Sequence, residues 1–413
     1  MLPGVLSLMI RLRLPLLCLL LSCLALGACA PHAEIRHETA GQRLEGLLFW
    51  NQGQREARFP KMYELFPSSR VARGEHVHAL PPGAPLTPRW TDDTTLTDYM
   101  RRYHIAGVLV LEDGRIRLQQ YGPGVTPGTR WTSFSVAKSF TSTLLGIALK
   151  QGDIRSLDDR LGRYIPELRG HAYGDVTVRQ LLTMTSGIEW NEDYADPDSD
   201  VAQMYMAPCR DQEAHILTYM KDLPRQWPGG THWQYSTGET DLLGILVQRA
   251  TGMSLADYLS QTIWKPYGMA SDAFWLKDEC DGSNLGGSGL SATLGDYARM
   301  GQFMLDGGRI DGKPVIAEAW MRGALQRQQK VSDPERGYGY QWWTDADGSY
   351  AAIGIFGQLL YIDPARKLVI AQIAAWPAAD SDALVAARRA FVAAVKRAAD
   401  HGKSRQVEGA GRP

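Results

Sequence analysis

The sequence has almost no excess charge, since its 413 residues include 44 lysines and arginines against 45 aspartates and glutamates. Without a basic block in the folded region, it lacks an electrostatic footprint for nucleic acid. Beyond residue 30 no stretch stays apolar over about 20 residues, which excludes a membrane span in the body of the chain. Five cysteines are too few for a disulfide framework. What remains, 44% apolar and 22% charged, is the composition of a globular protein with a large core.

Residues 1–28 have the pattern of an export signal. Two arginines precede an apolar run over 14–26, which has the length of a signal-peptide core. The run closes with Leu-Gly-Ala-Cys29 and resembles a bacterial lipobox, which implies that the Cys29 thiol carries lipid. We therefore predict an exported lipoprotein whose acyl chains hold it on a membrane without crossing it. A transmembrane anchor and an ordinary cleaved signal peptide are the alternatives.

Three positions bear on this export prediction. Ala30 follows the cysteine where an aspartate would be associated with inner-membrane retention, so the resemblance favours the periplasmic face of the outer membrane. Removal of the signal leaves Cys209 and Cys280 in the body of the chain. An oxidising compartment permits a disulfide between them, but we expect both thiols to be buried and unpaired.

The hydrophobic pattern of the body of the chain changes twice, from strand to helix and back to strand. A hairpin is predicted over 107–121, because Asp113-Gly114 suits the positive φ angles of a tight turn. Residues 137–150 are apolar on all sides and predict a central buried helix. Strand patterns resume only within 339–374, so the early strands must find their sheet partners in the last third of the chain.

These patterns predict an antiparallel sheet flanked by helices, an all-helical domain, and a cleft between the two. The predicted regions are a lipoprotein signal peptide (1–28), a tether and wrapping N-terminal extension (29–90), an α/β domain (91–165 and 285–400), a helical domain (166–284) and a disordered tail (401–413).

Ser135-Val-Ala-Lys138 opens the predicted buried helix. One helical turn brings the Lys138 amine beside the Ser135 hydroxyl, and burial lowers a lysine pKa until the amine can accept a proton. The helix N-terminus also favours negative charge that develops nearby. Because so short a motif also arises by chance, its position after a hairpin and at the start of an apolar helix carries the prediction of a nucleophilic serine.

A second motif, Tyr235-Ser-Thr237, follows in the predicted helical domain. The two motifs together resemble the serine β-lactamase and penicillin-binding superfamily, which has Ser-x-x-Lys, then Tyr-x-Asn, then a strand motif such as Lys-Thr-Gly. Further segments resemble its 6-aminohexanoate-dimer hydrolase and carboxylesterase members: Leu48–Trp50, Leu65–Pro67, Leu181–Gly187, Asp193–Pro197, Gly289–Thr293 and Phe356–Pro364. The resemblance covers about residues 45–400 and implies a β-lactamase/transpeptidase-like fold of the α/β (α+β) class.

The resemblance implies a role for each matched residue. Ser135 is the acyl-accepting nucleophile, Lys138 and Tyr235 share the general-base role, and Tyr235 also protonates the leaving group. The backbone N–H groups of Ser135 and Gln358 form the oxyanion hole. Neither a metal nor an organic cofactor is implied.

Four more residues are predicted to contact the substrate: Tyr194 on a mobile loop, Trp190 near it, and Phe356 and Gly357 on the strand that ends the motif set. Ile355-Phe356-Gly357 takes the place of Lys-Thr-Gly, and Thr237 replaces the Asn of Tyr-x-Asn. A phenylalanine cannot hold a substrate carboxylate, so we expect poor action on anionic β-lactams and a preference for neutral acyl groups.

Glu189–Asp200 contains six carboxylates, which either attract a substrate ammonium or form a solvated acidic loop. The chain has no G-x-S-x-G elbow, which excludes an α/β-hydrolase. We therefore predict a lipid-tethered serine hydrolase that cleaves small ester or amide substrates through an acyl-enzyme on Ser135. A cell-wall D,D-peptidase or β-lactamase and a catalytically silent binding protein of the same fold are the alternatives, and the oligomeric state is left open.

Overall fold

The computed structural model describes residues 46–209 and 212–410. The predicted signal peptide and Cys29 lie outside these residues, so both stay predictions. Within the described part of the chain, no helix is long and apolar enough to cross a membrane.

An eight-stranded antiparallel sheet forms the centre of the molecule, in the order β3-β2-β14-β13-β12-β11-β10-β9. Its strands are β2 (Ile105–Glu112), β3 (Arg115–Tyr121), β9 (Gln329–Lys330), β10 (Arg336–Tyr338), β11 (Trp343–Asp345), β12 (Tyr350–Gly354), β13 (Gln358–Asp363) and β14 (Leu368–Ala374). The predicted hairpin turns at Asp113 and Gly114, which have φ angles of 51° and 73°. β2 then pairs with β14, which confirms that the early strands find partners near the end of the chain.

A second, four-stranded antiparallel sheet was not predicted. Its order is β1-β5-β6-β4, with β1 at Ser68–Val71, β4 at Arg130–Thr132, β5 at Ala273–Leu276 and β6 at Leu290–Thr293. A two-stranded ribbon, β7 (Arg309–Ile310) with β8 (Lys313–Pro314), completes the strands of the described residues. Region 166–284 is therefore not purely helical, since it supplies β5. The predicted wrapping extension supplies β1, so it is integrated in the fold through backbone pairing.

The helices are distributed along the whole described chain. They are α1 (Gln52–Arg58), α2 (Met62–Leu65), α3 (Leu96–Arg102), α4 (Val136–Gln151), α5 (Val178–Leu182), α6 (Asp200–Gln203), α7 (His215–Met220), α8 (Thr237–Thr251), α9 (Leu255–Leu259), α10 (Lys265–Tyr267), α11 (Leu294–Leu305), α12 (Glu318–Leu325) and α13 (Asp382–Ala410). Single turns of other helix types lie at 47–49, 59–61, 161–163, 166–168, 172–175, 204–206 and 355–357, with a π-helical turn at Ser260–Trp264. Helix α13 continues into the region predicted as a disordered tail and ends at Ala410, and the prediction of disorder from residue 401 stays a prediction.

Helix α4 is the predicted central helix, and residues 136–148 are all buried. It packs against α8 on one side and against β12 on the other. The hydroxyls of Ser139, Thr141 and Ser142 donate to backbone carbonyls of neighbouring segments, which satisfies these buried polar groups. The helix ends at Gly152, which adopts φ 90°. Both ends of α4 are thus held, which places its first turn reproducibly.

Cys209 and Cys280 form a disulfide, with their Cα atoms 5.4 Å apart. The expectation that both thiols stay unpaired is therefore wrong. The two residues are 71 positions apart in the sequence, and only the folding of the intervening helices and β5 brings them together. With His215 they are also the only group of potential metal ligands among the described residues, but both sulfurs are consumed by the disulfide.

Candidate active site

Ser135 occupies the N-cap position of α4 and its side chain makes no capping hydrogen bond. The preceding Phe134 has φ 44°, in the left-handed region that bulky residues rarely adopt. This turn leaves the Ser135 hydroxyl directed at Lys138, one helical turn later, instead of at the helix backbone. The free hydroxyl and the positive end of α4 together suit a nucleophile whose attack generates negative charge.

Lys138 is buried with 1% of its surface exposed. Its Nζ donates to Ser135 Oγ at 3.0 Å, to Thr237 Oγ1 at 2.9 Å and to the Gly287 carbonyl at 2.9 Å. Burial lowers the pKa of Lys138 to about 8, against the opposing influence of the Glu192 and Asp241 carboxylates. A lysine with this pKa has an accessible neutral form close to physiological pH, and in that form it can act as a general base toward Ser135.

Tyr235 lies just before α8, and Ser236 caps that helix by accepting from the Glu239 N–H. The phenol ring stacks on Trp343, with ring centroids 5.7 Å apart, and the Lys138 Nζ lies 5.1 Å from the Tyr235 centroid. Burial and the charge of Glu192 raise the pKa of Tyr235, while a hydrogen bond with Ser135 opposes them. The phenol therefore stays protonated at neutral pH and can donate a proton.

Thr237 stands where the superfamily motif has an asparagine, and its hydroxyl accepts from Lys138 Nζ. The approach to Gly287 is close, because a Cβ on that glycine would lie 2.8 Å from Thr237 Cγ2. The Gly287 N–H donates to Asp241 Oδ1 at 2.7 Å, which holds the segment that carries the lysine-binding carbonyl. A threonine thus provides the acceptor that positions Lys138.

Glu192 is a site residue that the sequence analysis did not single out. Its carboxylate accepts hydrogen bonds from Trp190 Nε1, Tyr194 Oη, the Thr237 backbone N–H and Thr237 Oγ1. Its charge thereby reaches Lys138 through a single intervening hydroxyl. The only signal in the sequence was the acidic run 189–200, which could not indicate which carboxylate points inward.

Tyr194 and Trp190 have different positions. Tyr194 lines both cavities described below, as expected for a substrate-contacting residue. Trp190 is 5% exposed and lines neither of them, and its indole N–H is bound to Glu192. Trp190 therefore supports the site through Glu192, and its predicted contact with substrate is not observed.

Two cavities meet at Ser135. A narrow cavity of about 70 Å³ has mainly apolar walls that include Leu47 and Met62 of the N-terminal extension. A wider cavity of about 450 Å³ includes Tyr235, Glu192 and the arginines Arg336 and Arg388. Ser135, Tyr194 and Ile355 line both cavities. The site therefore presents an apolar side and a polar side to a substrate bound across Ser135.

Phe356 does not reach either cavity, contrary to its predicted contact with substrate. The residue is fully buried, and its ring centroid lies 5.3 Å from those of Phe59 and Phe134. Its φ of 57° turns the chain so that the side chain enters the core. Gly357 follows with φ 92°, and a Cβ there would lie 2.5 Å from Trp376 Nε1. Both residues shape the turn, so the argument against anionic substrates from Phe356 fails.

Gln358 is also placed differently from its predicted oxyanion position. It pairs with Gly354 across the β12–β13 hairpin, is 2% exposed and lines neither cavity. Its side-chain amide donates to the carbonyls of Phe356 and Ala374. The residue of this strand region that lines both cavities with Ser135 is Ile355. The turn at 355–357 thus brings Ile355, and not Gln358, to the two cavities that Ser135 lines.

The comparisons with known proteins agree with this geometry. The sequence profile of the Beta-lactamase family matches residues 93–395. The 6-aminohexanoate-dimer hydrolase of Paenarthrobacter ureafaciens is 30% identical over 338 residues, which are 78% of this chain and 86% of that protein. A Beta-lactamase of Pseudomonas fluorescens is 26% identical over 189 residues, 43% of this chain and 48% of that protein.

Solved structures share the fold at lower identity. A structure from Bacillus anthracis assigned to the 6-aminohexanoate-dimer hydrolases has a TM-score of 0.75 at 23% identity, covering 85% of this chain and 94% of its own. The hydrolase EstCE1, described as having promiscuous acyltransferase activity, has a TM-score of 0.57 at 15% identity, covering 71% and 94%. With the fold, the Ser135–Lys138–Tyr235 arrangement and the match over most of its length, the chain belongs to the Beta-lactamase family of serine hydrolases.

Proposed function

We propose that this protein hydrolyses small esters or amides through an acyl-enzyme on Ser135. The observation that carries the proposal is the 3.0 Å contact between Ser135 Oγ and the buried Lys138 Nζ, whose pKa is lowered to about 8. A neutral amine at this position accepts the Ser135 proton as Oγ attacks the substrate carbonyl. Retention of serine, lysine and tyrosine together argues against a silent binding protein, which needs none of the three.

The tetrahedral intermediate requires two hydrogen-bond donors for its oxyanion. One is the backbone N–H of Ser135. For the second we propose the N–H of Ile355 in place of that of Gln358, because Ile355 lines both cavities with Ser135. The neighbouring Phe356 N–H is already bound to the Ala379 carbonyl at 2.7 Å, which removes it as a candidate.

Tyr235 acts as the proton donor to the leaving group. Its raised pKa keeps the phenol protonated, and Tyr235 lines the wider cavity together with Ser135, on the side where the leaving group departs. As the leaving alcohol or amine takes the Tyr235 proton, the phenolate regains one from the Lys138 ammonium. Water then attacks the acyl-enzyme, gives its proton to Lys138, and the Ser135 hydroxyl is restored.

The two cavities assign the two ends of the substrate. Of the two cavities, Tyr235 lines only the wider one. Because Tyr235 donates the proton to the leaving group, the leaving group lies on that side of Ser135. The acyl group then occupies the narrow apolar cavity, which suits a short neutral chain. The similarity to a 6-aminohexanoate-dimer hydrolase supports a small linear substrate.

The test is labelling and turnover at Ser135. Incubation with a fluorophosphonate should add mass at Ser135 alone, and nitrophenyl butyrate should be hydrolysed with an acyl-enzyme detectable by mass spectrometry. Ser135→Ala should remove both signals. Ser139→Ala is the matched control, because Ser139 lies on the same helix and donates to the Gln341 carbonyl. Labelling of another serine, or turnover by the alanine variant, would contradict the proposal.

A D,D-peptidase or β-lactamase activity is the second candidate. The family match favours it, and Phe356 does not oppose it, because that side chain is buried in the core and does not contact the cavities. Parallel assays with nitrophenyl butyrate, a 6-aminohexanoate dimer and a chromogenic cephalosporin rank the three bond types. We expect the ester and the linear amide to be cleaved with higher kcat/KM than the cephalosporin, because the apolar acyl cavity is narrow.

A further inference from the structure

Arg388 is a buried cation without a protein partner. It lies on α13, is 6% exposed, and faces the wider cavity. Among the described residues, no side chain or carbonyl forms a hydrogen bond or ion pair with its guanidinium, which lies over the Trp376 ring with its Cζ 5.3 Å from the ring centroid. A guanidinium removed from water without an acceptor is unfavourable, so buried arginines are normally paired. The unmet hydrogen-bonding capacity points into the cavity.

Arg336 provides a second guanidinium on the same cavity. Its Nε is bound to Asp345 Oδ1 at 3.1 Å, which neutralises part of its charge. Burial and the proximity of Arg336 lower the pKa of Arg388 to about 10, so Arg388 remains charged at neutral pH. Two cations on one wall repel each other unless an anion lies between them or beside them.

The carboxylates of this cavity do not fulfil that role. Glu192 already accepts four hydrogen bonds from Trp190, Tyr194 and Thr237. Asp380 also lines the cavity, and its charge favours the Arg388 cation, but it is solvent-exposed and forms no ion pair or hydrogen bond with Arg388, so the guanidinium N–H groups still have no acceptor. The cavity therefore offers one buried cation in need of an acceptor and no buried anion in need of a donor.

We propose that Arg388, assisted by Arg336, binds a carboxylate carried by the leaving group of the substrate. The inference deepens the proposed function and rests on it for the orientation, because Tyr235 and Arg388 line the same cavity. The substrate class is then an acylated amino acid or hydroxy acid: a neutral acyl chain in the narrow cavity, an ester or amide bond at Ser135, and an acid group on the departing amine or alcohol. A cavity of about 450 Å³ has the size of an ordinary small-molecule site.

The experiment compares two esters that differ only in charge on the leaving group. The substrates are 4-carboxyphenyl butyrate and 4-carbamoylphenyl butyrate. We expect the natural enzyme to have a KM at least about tenfold lower for the carboxylate ester, as for a charge-assisted hydrogen bond. Arg388→Met should remove this preference by raising KM for the carboxylate ester, with kcat and the carbamoyl ester nearly unchanged. Arg388→Lys should restore part of the preference.

Arg389→Met is the matched control, because Arg389 is the next residue of α13 but is half exposed and paired with Asp333. It should leave both esters unaffected. Equal KM values for the two esters in the natural enzyme, or equal losses in Arg388→Met, would overturn the proposal while leaving hydrolysis by Ser135 intact.

A binding measurement separates this proposal from the proposed function and from any folding defect. In the Ser135→Ala variant, titration calorimetry should give a dissociation constant for 4-hydroxybenzoate that is at least about tenfold lower than that for 4-hydroxybenzamide. This result requires neither turnover nor a change at Arg388. Failure of ester hydrolysis with preserved carboxylate binding would contradict the hydrolase proposal alone, whereas absent discrimination between the two phenols would contradict the carboxylate subsite alone.

Discussion

The active site has two walls, and the sequence predicted the arrangement of residues in one of them but not in the other. The helix wall, made of residues 135–138 and 235–237, has the geometry that its two motifs predict, with Lys138 bound to Ser135 and Thr237. The strand wall, residues 354–358, does not, because Phe356 turns into the core and Gln358 lies within the hairpin. Two residues three positions apart on a helix lie on the same face whatever surrounds them. Which residue of a turn lines the active site depends instead on which side chain packs into the core.

Lys138→Met tests the helix wall and should have the largest effect on activity. Loss of the general base should lower kcat/KM for nitrophenyl butyrate by about 10³-fold. The melting temperature should fall as well, because the Thr237 hydroxyl and the Gly287 carbonyl lose their buried donor, so activity is compared at a temperature where both proteins are folded. Lys150→Met, near the exposed end of the same helix, should keep full activity. A Lys138 variant that retains activity would show that the helix wall is only structural.

Phe356→Ala tests the strand wall through stability. Because Phe356 is fully buried against Phe59 and Phe134, its truncation should lower the free energy of unfolding by about 3–5 kcal/mol. Denaturant titration measures this, with Phe49→Ala as control, since Phe49 is 47% exposed. A variant of unchanged stability but altered KM would instead restore the predicted role of Phe356 as a substrate contact.

The pH dependence of the reaction tests the helix wall separately from the strand wall, because only the helix wall contains a group that titrates near neutral pH. Lys138 must be neutral to accept a proton, and its pKa is lowered to about 8. Below that pH the neutral fraction rises with increasing pH, so kcat/KM for an ester should rise by about tenfold per pH unit and level off above pH 8. The N–H donors of the strand wall do not titrate in this range. A profile that is flat between pH 6 and 9 would exclude Lys138 as the base.

Cys29→Ser addresses the region that precedes the described residues and should have the smallest effect on the site. If Cys29 is lipidated, the substitution should move the protein from the membrane to the soluble periplasmic fraction, with kcat/KM unchanged. Fractionation followed by an ester assay measures both. Unaltered membrane association would favour an uncleaved anchor.

Much of the fold follows from patterns of short range. The Asp113-Gly114 turn, the buried α4 and the late return of strands next to β2 were predicted, because turn chemistry and apolar periodicity act over a few residues. The small sheet was not predicted, because its strands are short and pair with distant segments: β1 and β5, for example, pair across about 200 residues of chain. The Cys209–Cys280 disulfide was not predicted for the same reason, because the two cysteines are 71 positions apart in the sequence.

The amino-acid sequence by itself was enough to predict the family, and it predicted Ser135 as nucleophile and Lys138 as its base, because the two residues are one helical turn apart and Tyr235 directly precedes the N-cap Ser236 of a second helix. Only the tertiary structure decided which carboxylate of the acidic run points inward, that Ile355 and not Gln358 lines the cavities that meet at Ser135, and that Arg388 of the last helix reaches the wider cavity. These three facts depend on contacts between segments far apart in the chain, where burial and hydrogen bonding, and no local periodicity, select the side chain that faces the site.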